Sequence, residues 1–343
     1  MFKKILIFFL SLAVIFSIII FIAVFATGPS LPPGTENIIE EVLEAGPQDY
    51  LPGETGFTES SGVWISYKII TPRFRPKGDI LLIAGIASDS CWWPPCFVKS
   101  LTESGYRVIL FDNRSTGMSD WMKEYGKWRY TIRDMAGDGI AVMDSLKIKK
   151  AHILGVSMGG MIAQHMAISY PKRTGSFISI MSSAHLEDRE MPAVPWRTVR
   201  EVVRLSCRYG VIKSERNIIK LHIAIWQLFR NRTLKADDIK SIAVRVLFNL
   251  RKRRGYNPLA FPRQLDAIIA SGSRYEGLKR ISVPAMFIHG KIDPLIPWQH
   301  GLKCSQLVKG SSLVLIDKMG HDIPCSMNDE ISGHVTRFIS RVR

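Results

Sequence analysis

Ser157 sits in Gly155-Val156-Ser157-Met158-Gly159, a G-x-S-x-G run. An apolar stretch at 151–154 precedes it, and helix-like spacing at Met161, Ala163, Met166 and Ala167 follows. A serine hydroxyl is a poor nucleophile at neutral pH and needs a base to take its proton and an acid to orient that base. On a strand-to-helix turn of this kind the partners follow in the order acid, then histidine. Asp293 in His289-Gly290-Lys291-Ile292-Asp293-Pro294 and His321 in Met319-Gly320-His321-Asp322 meet that order, each just past an apolar run, 285–289 and 312–316. A turn residue before Pro294 and a surface-loop histidine are the bland alternatives. The joint order and placement favour Ser157, Asp293 and His321 as a nucleophile–acid–base set.

Acyl transfer also needs two N–H donors for the developing oxyanion, one from the residue after the nucleophile and one from the loop after an early strand. Those are Met158 and, in Ala84-Gly85-Ile86-Ala87, Ile86. The remaining histidines fit less well. His152 opens a strand, His165, His222 and His300 read as helical, and His185, His289 and His334 carry no motif. Asp322 reads as a cap of the following helix. The chemistry requires no metal and no organic cofactor.

The elements that must position these residues alternate. Runs at 63–70, 80–84, 106–111, 151–155, 175–181, 285–289 and 312–316 read as strands, with helical spacing at 131–145 and beyond Ser157. Such alternation predicts an α/β fold, a mostly parallel twisted sheet with helices on both faces. Residues 186–270 lack clear strands and read as a helical cap, dividing the hydrolase core into 57–185 and 271–343.

The chain of 343 residues carries 46 Lys+Arg against 30 Asp+Glu, a formal +16. That balance raises nucleic-acid binding, yet its distribution argues otherwise. Lys3 and Lys4 precede an apolar run at 5–26 broken only by Ser11 and Ser17, and no further base occurs until Lys68. As a helix this run would be about 33 Å long, enough to cross a bilayer. Its length favours an anchor over a cleaved signal peptide, although Val24-Phe25-Ala26 could serve as a poor cleavage site. The charge bias then leaves the amino terminus cytoplasmic and the rest on the exported side, or secreted if the segment is cleaved. Residues 27–56, with Pro29, Pro32, Pro33, Pro47 and Pro52 and an acidic bias, read as a linker with a short helix near 36–43. Residues 197–254 hold sixteen bases against four acids. Arg197, Arg200, Arg204 and Arg208 repeat at helical spacing as one basic face, with an apolar surface nearby from Ile223, Ile225, Trp226, Leu228 and Phe229. Two readings stand, a solvated cap exterior and contact with anionic lipid headgroups. Nucleic acid is not an expected partner, since no binding motif accompanies the charge. Among the five cysteines, Cys91–Cys96 and Cys304–Cys325 are conceivable pairs with Cys207 left over, and free thiols remain an equal possibility.

Ser157, Asp293 and His321, with Phe111-Asp112-Asn113-Arg114-Ser115-Thr116-Gly117-Met118-Ser119 and 155–163, make the chain similar to the α/β-hydrolase-fold serine hydrolases. It most resembles the branch containing the aclacinomycin methylesterases, over residues 60–343 apart from most of the cap. Two departures matter. Ala84-Gly85 stands where His-Gly is common, and Ser115 stands where the branch usually has Asp, which bears on loop packing. The resemblance implies hydrolysis of a small-molecule or lipid-like carboxylic ester and does not carry over the antibiotic substrate. A lipase or thioesterase with the same triad is the near alternative, and a non-catalytic binding module on this fold is the distant one.

Overall fold

The computed structural model of the protein describes residues 31–122 and 129–342. The apolar run at 5–26 lies outside them, and no described helix is long and apolar enough to cross a membrane. Eight strands form one sheet in the order β1-β2-β4-β3-β5-β6-β7-β8. They are β1 (Glu54–Ser60), β2 (Val63–Ile70), β3 (Asp79–Ile83), β4 (Arg107–Phe111), β5 (Ala151–Val156), β6 (Thr174–Ile180), β7 (Ala285–Gly290) and β8 (Ser312–Ile316). Strand β2 runs antiparallel to β1 and β4, and every other pairing is parallel. Strand β1 has a half-exposed pattern of mixed polarity, which is why its sequence reads as linker.

The central strands are apolar on both faces because both faces are covered. On β3, Ile80 and Leu82 join one core, with Phe97, Val98, Leu101, Ile331 and Val335, while Leu81 and Ile83 join the other, with Met135, Met143, Met161 and Met166. Among the described residues eleven α-helices accompany the sheet: α1 (Thr35–Ala45), α2 (Pro95–Glu103), α3 (Ile132–Ser145), α4 (Met158–Ser169), α5 (Trp196–Gly210), α6 (Glu215–Arg230), α7 (Ala236–Lys252), α8 (Ala260–Ser271), α9 (Tyr275–Lys279), α10 (Gln299–Leu307) and α11 (Asn328–Ser340). Helix α3 starts in a capping box, with Thr131 and Asp134 each accepting from the other's backbone N–H.

Between β6 and β7, helices α5–α7 form a cap with a hydrophobic core of its own, built on Ile219, Ile223, Ile239, Ile242, Val246 and Leu247. Helix α8 leaves the cap and packs Ala267 and Ile268 into the sheet's core. The short helix expected near 36–43 is α1, and it packs on the cap. Helix α1 sets Ile39 and Val42 into the cap core, and each such aliphatic burial is worth about 1.5–3 kcal/mol. Its acids meet the cap's bases, with Glu36 on Lys220 at 2.6 Å, Glu40 on Arg216 and Glu41 on Lys240 at 3.7 Å. These pairs are exposed and add little beyond orientation.

Three further expectations change. The Arg row of α5 is only partly an exposed basic face: Arg197 and Arg200 are exposed, while the Arg204 side chain lies against Glu201 at 2.8 Å, only 11% exposed. The apolar residues of α6 point inward, where Ile223 is buried and Trp226 meets Trp92 at 5.8 Å. The cysteine pairing also differs. Cys96 is bonded to Cys325, while Cys91, Cys207 and Cys304 are free. Cys96 lies at the start of α2 and Cys325 just before α11, two helices packed side by side on one face of the sheet. Sequence neighbours such as Cys91 and Cys96 are separated by the turn into α2.

Candidate active site

Parallel strands β5, β7 and β8 bring Ser157, Asp293 and His321 to the carboxyl edge of the sheet, where sites collect in this architecture. Ser157 takes φ 54° and ψ −122°, a conformation costly for a side-chain-bearing residue. The surroundings hold it there. Its N–H donates to Ile180 O at 2.9 Å, and its carbonyl accepts from Ser182 Oγ at 2.6 Å and Gly160 N at 2.9 Å. The turn leaves no room at its ends: a Cβ on Gly155 would lie 2.0 Å from Gly159 O, and one on Gly159 would lie 2.1 Å from Ile83 O. Helix α4 starts at the next residue, so its positive dipole end faces the Ser157 side chain.

Asp293 and His321 are joined directly, His321 Nδ1 donating to Asp293 Oδ2 at 2.7 Å. A carboxylate acceptor puts the proton on Nδ1 and leaves Nε2 with its lone pair. The other carboxylate oxygen accepts from the Leu295 and Ile296 N–H groups at 2.8 and 2.9 Å. Burial opposes the Asp293 charge. The charge of His321 and hydrogen bonding from His289 and His321 outweigh it, holding the carboxyl well below its ordinary range. The Ser157 hydroxyl has no hydrogen-bond partner among the described residues, so the Ser157–His321 link is not closed here. Such links often form only with substrate present.

The loop after β3 packs against the nucleophile, since a Cβ on Gly85 would lie 3.3 Å from Ser157 Cβ and 3.8 Å from its Oγ. Asn113 Nδ2 donates to Ala84 O at 3.1 Å. Ala87, at φ 54°, donates its N–H to Gln264 Oε1 at 2.7 Å, and Gln264 Nε2 donates to Arg114 O at 2.9 Å. Neither Ile86 N–H nor Met158 N–H forms an intramolecular hydrogen bond among the described residues. Two adjacent backbone donors are thus left beside the hydroxyl. Ser115 is buried at φ 74° with its hydroxyl 3.2 Å from Tyr130 Oη, and Arg114 forms a buried bidentate pair with Asp138 at 2.7 and 2.5 Å. The loop around Ser115 is therefore packed without the acid found elsewhere.

Sequence reading passed over several residues. His289 Nε2 donates to Ile296 O at 2.9 Å and lies 3.4 Å from Asp293 Oδ2, so a second imidazole faces the acid. Its place four residues before Asp293 at a strand end was the available signal. Asp322 caps no helix; its Oδ2 accepts from Arg230 Nε of the cap at 2.7 Å. The same cap end covers His321: its N–H donates to Phe229 O at 2.8 Å, and the Phe229 ring stands edge-on to the imidazole at 5.8 Å. Arg253, just past α7, inserts between Asp112 and Asp89 below the β3 loop. Burial pushes the Asp89 carboxyl up against that cation's pull, and burial raises the Cys91 thiol to about 12.

Comparison with known proteins matches this fold. Residues 80–205 fit the sequence profile of the alpha/beta hydrolase fold. The chain has the α/β-hydrolase fold. It is 23% identical to rhodomycin D methylesterase DnrP of Streptomyces peucetius, over 75% of this chain and 89% of that one. Its hydrolase fold superposes on the enol-lactonase of Burkholderia xenovorans LB400 with a TM-score of 0.62 at 23% identity, covering 83% of this chain and all of the other. A bacterial membrane phospholipase A gives a TM-score of 0.60 at 19% identity and covers 100% of this chain and 99% of that one.

Proposed function

We propose that this hydrolase cleaves carboxylic esters through an acyl-enzyme on Ser157. The observation that carries the reading is the strained Ser157 turn beside an ion-held Asp293–His321 pair at one sheet edge. His321 Nε2 takes the Ser157 proton as Oγ attacks the ester carbonyl. The carbonyl oxygen, now anionic, accepts from the Ile86 and Met158 N–H groups. His321 returns its proton to the departing alkoxide, which leaves as the alcohol. Water then attacks the acyl group, His321 taking its proton and passing it to Ser157 Oγ as the acid is released. Asp293 keeps the imidazole in the required tautomer and stabilises its cation.

The enzyme is anchored by the apolar run at 5–26, with the hydrolase domain on the exported side. The Cys96–Cys325 disulfide supports that placement, because such bonds persist in oxidising compartments. A lipase reading with the same triad is favoured by one observation: the membrane phospholipase A shares this fold at a TM-score of 0.60 and covers 100% of this chain. The test is fluorophosphonate labelling of the purified full chain beside Ser157→Ala, with a panel of esters and thioesters graded by acyl length. Labelling should vanish in the variant. Labelling that persists there refutes the nucleophile assignment, and rates that climb with acyl length select the lipase reading.

A further inference from the structure

Eleven large apolar side chains are exposed among the described residues, and five of them lie in the short stretch 196–212. They are Trp196 (74% exposed), Val199 (38%) and Val203 (57%) on α5, and Val211 (67%) and Ile212 (69%) in the turn after it. The α5 residues recur at three- and four-residue spacing, so they form one stripe, and exposed Cys207 extends it by one turn. The opposite face of α5, with Thr198 and Leu205, is buried against the cap. Exposed Arg197 and Arg200 border the stripe, and exposed Lys213 follows it. An apolar stripe with a basic shoulder is the pattern of a helix that lies in a lipid interface.

The chain's own connectivity says what covers this face. Leu31 packs against the cap's core and lines one pocket with Glu201 and Leu205 of α5 and Ala224 and Leu228 of α6. Only four residues, 27–30, separate it from Ala26, the end of the apolar run. Fully extended, the five steps from Ala26 to Leu31 reach at most about 18 Å. A membrane span ending at Ala26 therefore brings the cap, and α5 with it, to the bilayer surface.

We propose that α5 and the turn after it dock on an anionic bilayer, with Trp196, Val199, Val203, Val211 and Ile212 among the headgroups and Arg197, Arg200 and Lys213 on lipid phosphate. This rests on the anchored-hydrolase reading and adds to it a fixed orientation, cap toward the lipid. An ester substrate would then reach Ser157 from the membrane side of the cap.

The test uses the full chain in phosphatidylcholine vesicles with and without phosphatidylglycerol. Cys207, exposed while the other free thiols are buried, takes an environment-sensitive fluorophore. The control label goes on Phe74→Cys in a Cys207→Ser background. Phe74 is 85% exposed and precedes β3, at the amino edge of the parallel strands and away from the cap. Shallow spin-labelled lipid should quench the label at 207 at least about threefold more than that at 74, with more quenching when phosphatidylglycerol is present. Trp196→Gln with Val203→Gln should abolish the difference and slow hydrolysis of a vesicle-borne ester several-fold, while soluble-ester hydrolysis and fluorophosphonate labelling stay unchanged. Equal quenching at 207 and 74 overturns the proposal. So does efficient Cys207–Cys207 cross-linking without lipid quenching, which would assign the face to a second copy, and so does quenching indifferent to phosphatidylglycerol. Failure of Ser157 labelling, by contrast, would remove the hydrolytic reading and leave the quenching result standing.

Discussion

The sheet and the cap bury apolar residues by different rules, and that difference explains which of them carries the candidate site. In the sheet, neighbouring strands fix each other's register, so a residue just past β5, β7 or β8 has little freedom. Ser157, Asp293 and His321 all occupy such positions. The cap is three helices around a small separate core, fastened to the sheet edge by charged contacts: Arg230 on Asp322, Arg253 on Asp112 and Asp89, and the Phe229 carbonyl on His321 N–H. The sheet edge presents the candidate site, and the fastened cap lies over it.

Substitutions can break that division at graded cost. Asp293→Asn keeps the shape of the carboxyl but releases the His321 tautomer. It should lower kcat on a soluble ester by about 10⁴-fold while leaving the unfolding midpoint nearly unchanged, which steady-state kinetics and urea titration would check together. An equal loss in stability would mean that the acid is structural.

Arg253→Met attacks the fastening instead. Removing one partner from a buried ion cluster costs about 3–5 kcal/mol, because Asp89 and Asp112 are left without a cation. Asp89 is already raised by burial, so in the folded variant it binds a proton more readily than in the unfolded chain. The deficit should thus be largest above its folded value and shrink as pH falls through it. A deficit that grows on acidification would contradict this account.

Ile39→Ala should cost about 2–4 kcal/mol, and the loss should fall on the cap and α1 before the sheet. Hydrogen exchange should show α6 and α7 opening first while β3 and β5 stay protected. Uniform loss of protection would show that cap and sheet unfold as one unit. The smallest effect concerns thiols. Burial pushes Cys91 and Cys304 up to about 12, so iodoacetamide at pH 8 should modify Cys207 alone in the native protein, as peptide mass analysis would reveal.

Much of the sheet was legible in the sequence because strands buried on both faces read as short apolar runs, and β2 and β8 fall at 63–70 and 312–316 as read. Strand β1 escaped because an edge strand of mixed polarity lacks that signal. The candidate site was legible where one local turn imposes residue types, as around Ser157. Gln264 and Phe229 were not, because each acts through a partner far away in sequence, and His289 left only its place four residues before Asp293 as a signal.

Sequence alone determined the alternation that makes a parallel sheet, the glycines that permit the Ser157 turn, and an apolar run long enough to span a bilayer, since each follows from neighbours along the chain. Only the tertiary structure decided that Cys96 pairs with Cys325, that α1 docks on the cap, and that the outward face of α5 is apolar with arginines at its border. Those outcomes depend on which surfaces meet across separations of up to 229 residues. Burial, charge pairing and covalent reach settle such meetings only once the whole chain has folded.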